Sequence, residues 1–341
     1  MKIPATVITG FLGAGKTTTI RHLLENANGR RIALIINEFG DLGIDRDVLT
    51  GCGIEDCDEG DVVELANGCI CCTVADDFLP TIEALIDRDN PPDHIVIETS
   101  GLALPKPLVK AFNWPEIRAR VTVDGVIAVI DAPAVAVGQF ADDPEAVQAA
   151  REGDDALDHD SPLEEVFEDQ LHCADIVVLN KSDLISKSEL ERIYGELADR
   201  IQPGVKIIPT RHGQIDISVL LGVGAGVEDV IESRWSHHDD ADGEHDHDDF
   251  DSMIVSLSDL DDPSVLEERI REIATTHDVL RVKGFIHVPG KPMRHVVQAV
   301  GSRVQRYFDR EWRDGEARES RLVVIGQTGF DRDAVTAALQ G

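Results

Sequence analysis

No stretch of this 341-residue chain approaches the ~18 consecutive apolar residues that a membrane-crossing helix needs, so no membrane association is expected. No secretory leader is expected either. Lys2 is followed at once by the strand-like run Ile3-Pro4-Ala5-Thr6-Val7-Ile8-Thr9, which points to a cytoplasmic location. Positive charge is scarce: 32 Lys and Arg face 65 Asp and Glu, and the formal net charge of −33 speaks against nucleic acid or an anionic membrane as partner. Cysteines number only six, and in a reducing compartment they read as free thiols or metal ligands rather than disulfides. The 42% hydrophobic content supports one sizeable domain and a smaller one.

Short apolar runs alternate with helical patterns through the first two-thirds of the chain. Strands are expected at 5–9, 32–37, 94–99, 125–131, 175–180 and 206–209, and helices at 17–25, 77–87, 163–171, 188–201 and 215–221. Fully apolar strands alternating with helices indicate an α/β domain, a mostly parallel sheet flanked by helices, over 1–233. The acidic stretch 138–161 reads as an exposed insertion. Residues 234–251 hold four histidines and eight acids with no hydrophobic period, and form a linker. Strands at 253–257, 280–288, 293–300 and 322–325, with helices at 264–276 and 331–339, give a small α+β domain over 252–341.

Gly10-x-x-x-x-Gly15-Lys16-Thr17 lies between a strand and a helix, the context of a phosphate-binding loop. Backbone amides of Gly10, Gly13, Ala14, Gly15 and Thr18 would surround the phosphates, aided by the helix N-terminus. Lys16 would neutralise the β- and γ-phosphates, and Thr17 would ligate Mg2+. Asn180-Lys181-Ser182-Asp183 ends an apolar strand and resembles a guanine reader, with Asp183 accepting from the two N–H edges that adenine lacks. Glu98, at another strand end, is a candidate to hold Mg2+ or its water shell, and the Gly101 amide can sense the γ-phosphate. Glu38 and Asp41 follow the second strand and are candidates for metal contact or for orienting the attacking water.

Three soft ligands crowd into Cys69-Ile70-Cys71-Cys72, which suits Zn2+, Co2+, Ni2+ or Cu(I) in an incompletely closed transfer site. Cys52 and Cys57 read as small buried residues with an auxiliary-ligand alternative, and Cys173 as core. The linker histidines His237, His238, His245 and His247 suit weak, exchangeable metal capture, or simply a solvated spacer.

These motifs together, with Asn37-Glu38-Phe39-Gly40 and Glu98-Thr99-Ser100-Gly101, resemble the CobW family of P-loop metallochaperone GTPases over both domains. The resemblance implies a GTPase domain, a CobW C-terminal domain, and GTP-gated delivery of a transition metal held at Cys69, Cys71 and Cys72. Lys2–Val7, 67–78, Phe112-Asn113-Trp114, 282–285 and 289–293 are similar to the branch that handles cobalt for aerobic cobalamin synthesis, which implies Co2+ as the metal, with Zn2+ as the alternative. Asp41 stands where many relatives carry glutamate, and Ile36 where some carry a further acid. The implied partners are a metal acceptor protein, a cobaltochelatase in that branch, and a second copy of the chain in a nucleotide-dependent homodimer. Two rivals are a metal buffer with no need of hydrolysis and an ordinary kinase, for which the sequence shows no acceptor pocket and base.

Overall fold

The computed structural model describes residues 2–27, 29–36, 62–64 (backbone only), 78–145, 147–148, 163–221, 250–260, 262–312 and 317–341. The chain divides into two compact units, Lys2–Gln202 with Ile207–Ile217, and Ser218–Gly341 with Pro203–Lys206. No helix among the described residues is long and apolar enough to cross a membrane.

In the first unit, strands β1 (Ile3–Thr9), β2 (Ile32–Ile36), β3 (Val62–Glu64), β4 (His94–Glu98), β5 (Val121–Asp131), β6 (Ile176–Asn180) and β7 (Lys206–Pro209) form a sheet in the order β3-β2-β4-β1-β5-β6-β7. The pairings of β1 with β4 and β5, of β2 with β3 and β4, and of β5 with β6 are all parallel. Every residue of β2, β4, β5 and β6 is buried, because helices cover both sheet faces and leave neither to water. One face packs Val7, Ile35 and Ile97 against Phe78, Ile82 and Leu85 on and beside α2 (Leu79–Ile86), with Leu108 and Phe112 on and beside α3 (Pro105–Ala111). The chain reverses its direction of build at β1, whose neighbours β4 and β5 come from opposite halves. Crevices at such switch points are where ligands bind.

Helices α1 (Lys16–Glu25), α6 (Leu163–Cys173), α7 (Lys187–Ala198) and α8 (Ile217–Leu221) fall close to the expected positions. The short α3, α4 (Pro115–Arg118) and α5 (Ala132–Ala136) each carry proline in the first turn, and were not anticipated because four to seven residues show no period. Strand β5 begins four residues earlier than expected. Its pairing with β1 slips between Val123 and Gly125, so the buried Asp124 forms a bulge that breaks the apolar pattern. In the described part of the insertion beginning at Gly138 most residues are exposed as expected, but Ala141 and Val147 are buried and Phe140 packs on Phe11 at 4.9 Å. Cys173 is half-buried against the core.

The second unit holds an antiparallel sheet ordered β11-β10-β9-β12-β8, from β8 (Phe250–Leu257), β9 (Val279–Ile286), β10 (Met293–Val300), β11 (Arg303–Glu311) and β12 (Ser320–Gln327). Helices α9 (Ser264–Thr276) and α10 (Arg332–Gln340) lay Leu266, Ile270, Ile273, Val335 and Leu339 on Val282, Ile286, Val297, Leu322 and Val324. Strand β11 was not expected. It is an edge strand carrying Arg303, Arg306, Arg310 and Glu311, charges suited to blocking edge-to-edge pairing but hiding the apolar signal.

His295, on β10, is 3% exposed, lies 4.4 Å from the Phe308 ring, and has no hydrogen-bond partner at Nδ1 among the described residues. Burial, reinforced by the Arg306 charge, pushes its pKa down to about 4. The unfolded chain therefore takes up this proton first as pH falls, and stability present above pH ~6.5 is lost toward pH 4. Between pH 7 and pH 5 the loss should be about 2 kcal/mol. Urea unfolding at the two pH values should show it in the parent and not in His295→Leu; parallel losses in both would contradict it.

Candidate nucleotide site

The C-terminal edge of the parallel sheet gathers the sequence-marked residues. Register sets Ile8 and Ile36 beside Glu98 and Asp131 beside Asn180; β5 and β6 run on past β1, whose Thr9 lies opposite Ala128, so Asp131 and Asn180 stand three residues further out at the same edge. Residues 10–15 bridge β1 to α1, and Gly15 caps α1 in a left-handed conformation (φ 102°). A Cβ on Gly15 would come within 2.2 Å of Asn180 Nδ2, so only glycine fits there. Gly13 and Thr18 face solvent, Ala14 is buried, and Gly10 is buried against β5.

Lys16 is 4% exposed, and its Nζ donates to the Phe11 carbonyl at 3.3 Å, which folds the ammonium back over the loop. Thr17 Oγ1 donates to Glu98 Oε1 at 3.3 Å, and Glu98 is fully buried. A hydroxyl and a carboxylate at one point are hard oxygen donors of the kind Mg2+ takes, and the glycine-rich loop at the N-terminus of α1 beside them is of the kind that takes a triphosphate. The residues present fit both groups.

Beyond Glu98 the chain turns under the phosphate loop. A Cβ on Gly101 would meet the Leu12 backbone nitrogen at 2.7 Å. Gln170, 2% exposed on α6, donates to the carbonyls of Gly101 at 3.1 Å and Ala103 at 3.3 Å, holding this turn to α6. The same helix presents Phe167 to Phe11 of the phosphate loop at 5.9 Å.

Asn180 is the junction of the site. Its Nδ2 donates to the Ala14 carbonyl at 2.9 Å, while its Oδ1 accepts from Thr210 Oγ1 at 3.2 Å and the Gly213 amide at 2.9 Å. Ser182 donates through both N–H (3.0 Å) and Oγ (2.8 Å) to the Thr210 carbonyl, fixing the turn Ser182–Leu184 that exposes Asp183 to solvent. Lys181 pairs with the buried Asp131. Helix α7 follows with a full capping box, in which Ser186 holds the Glu189 carboxyl below the usual carboxylate range.

Sequence reasoning missed Thr210, Gly213, Asp131 and Gln170. The loop 210–213 did carry a signal, a polar pair and glycine directly after a strand, and His212 there adopts a left-handed backbone (φ 53°). Glu38, Asp41, Cys52, Cys57, Cys69, Cys71, Cys72 and the histidines His237, His238, His245 and His247 lie outside the described residues. Among the described residues no cluster of His, Cys, Asp and Glu could hold a metal ion.

Replacing Gly15 by alanine should force the phosphate loop off Asn180 and weaken GDP binding by at least about tenfold, read by calorimetry. Unchanged affinity would show that the contact is not needed for the bound loop.

Comparison with known proteins points one way. The family described as CobW/HypB/UreG, nucleotide-binding domain, matches residues 4–209, and the cobalamin synthesis protein cobW C-terminal domain matches residues 250–341. A protein of Sinorhizobium sp named zinc chaperone CobW is 58% identical over 341 residues, covering 99% of this chain and 96% of that one. Its namesake in Pseudomonas aeruginosa is 52% identical over 343 residues, covering 99% and 91%. The solved structure of the Zn(II)-bound YjiA GTPase from E. coli is 27% identical, covers 99% of this chain and 98% of that one, and has a TM-score of 0.45.

Proposed function

The chain belongs to the CobW family of GTPases, and on that premise we propose that it hydrolyses GTP to gate delivery of a transition-metal ion, Zn2+ foremost, to an acceptor protein. The observation that carries the nucleotide half is Asn180, which ties the phosphate loop to the turn bearing Asp183. A site that recognises phosphates and guanine through one shared amide can respond to GTP as a whole.

In this reading Lys16 leaves the Phe11 carbonyl for the β- and γ-phosphates, and the amides of 13–18 close around them. Thr17 and Glu98 would hold Mg2+, which when bound neutralises charge between the β- and γ-phosphates. Glu38 and Asp41 are assigned to positioning the water that attacks the γ-phosphorus, giving GDP and inorganic phosphate. Loss of that phosphate removes the ligand of the Gly101 turn, the segment braced by Gln170, and slackens it.

The cargo is assigned to Cys69, Cys71 and Cys72, whose thiolates favour a soft or borderline ion. Zn2+ takes precedence over the Co2+ expected from the cobalamin branch. Both Sinorhizobium and Pseudomonas relatives are named for zinc, and thiolates hold Zn2+ at least as well. By linkage, whichever nucleotide state tightens the metal must be tightened by it in return.

Two measurements test this. Competitive chelator titrations of Zn2+ and Co2+, with GDP or a non-hydrolysable GTP analogue and Mg2+ present, should differ between nucleotide states by about tenfold. Cys71→Ser and Cys72→Ser should abolish the difference, and equal affinity in both states in the parent would overturn the gating. Separately, Asp183→Asn should move the preference from guanosine toward xanthosine triphosphate, because an amide can donate to the xanthine carbonyl where a carboxylate only accepts. Retained GTP preference would remove Asp183 as base reader.

A further inference from the structure

We propose that Asp131 is a positioning residue for base recognition: its buried carboxylate holds Lys181, and through Lys181 it sets how sharply Asp183 selects guanine. The inference rests on the reading of Asn180–Asp183 as the base site.

Asp131 is the last residue of β5, directly opposite Asn180 on β6, and is 2% exposed. Its two oxygens have separate partners. Oδ1 accepts from the Ala134 amide at 3.2 Å and caps α5; Oδ2 pairs with Lys181 Nζ. A carboxylate buried this deeply needs a counter-charge, and Lys181 is the cation on it.

The pairing acts on a backbone that is otherwise poorly placed. Lys181 sits in the left-handed region (φ 58°, ψ 28°), which a residue with a side chain seldom adopts unless its surroundings hold it there. That conformation opens the turn Ser182–Leu184, so the dihedral angles that aim Asp183 depend on where the Lys181 side chain is tied. Helix α5 packs against this turn and is itself fastened at both ends, by Asp131 at its start and by Arg192 Nη2, which donates to the Ala136 carbonyl at 2.7 Å. Asp131 thus anchors the turn twice, through the ion pair and through the helix beneath it.

The experiment measures steady-state turnover of GTP and of inosine triphosphate, which lacks the exocyclic amino group, with the full chain. Asp131→Asn and Asp131→Ser keep an acceptor for the Ala134 amide and lose the charge, so α5 stays capped and either variant serves if the other folds poorly. For both we expect the KM for GTP to rise about tenfold with kcat within about twofold, and the preference for GTP over inosine triphosphate to narrow. Binding of inorganic triphosphate, which reports only the phosphate loop, should be unchanged. The double variant Asp131→Asn/Lys181→Met should be no worse than Lys181→Met alone, since the two residues act as one unit. Parental KM and preference in the Asp131 variants, a loss of kcat at constant KM, or additive effects in the double variant would each overturn the proposal. Asp183→Asn separates the two claims: if it leaves nucleotide preference intact, the base-site reading fails, whereas a switched preference with indifferent Asp131 variants sinks only the role of Asp131.

Discussion

One side-chain amide, that of Asn180, joins the phosphate loop to the turn that bears Asp183, the parts that the proposed function assigns to different ends of a nucleotide. Its nitrogen side holds the phosphate loop at Ala14 and its oxygen side holds the loop 210–213. An amide suits the position because it donates and accepts at once, with no charge to desolvate at 2% exposure. The neighbouring residues adapt to it: Gly15 carries no side chain where Asn180 passes, and Lys181 is drawn sideways onto Asp131.

The parallel sheet makes this convergence inevitable. Because β1, β4, β5 and β6 run the same way, Thr9, Glu98, Asp131 and Asn180 all finish at one edge, with β5 and β6 reaching three residues past β1. Burial on both faces fixes the strands, so the loops at that edge stand on a rigid core. Helix α6 supplies a connection between two such loops, touching the phosphate loop through Phe167 and the Gly101 turn through Gln170. Movement of either would be felt by the other.

Much of this was legible in the sequence, and for local reasons. The phosphate loop, Glu98 and Asn180–Asp183 announce themselves because each is a short motif at the end of an apolar run, and strand ends are where an α/β fold places its ligands. The antiparallel strands β9, β10 and β12 were visible through apolar content, but β11 was not, since an edge strand carries charges that mask it. Gln170 and Asp131 were invisible for a different reason. Their roles come from contacts across 69 and 50 residues, and neither sits in a pattern that predicts its partner. Lys181 is alike: its motif gives no hint of the carboxylate that the fold brings to it.

The most direct test of the account asks whether Asn180 serves both ends of the nucleotide. Binding of GTP and of inorganic triphosphate to Asn180→Ala, with Mg2+ present and compared with the parent chain, reads the two ends separately. The account predicts that affinity falls for both ligands, because the phosphate loop loses its tie at Ala14 as the base side loses Thr210 and Gly213. A variant that binds triphosphate as the parent does, and is weakened only toward GTP, would contradict it.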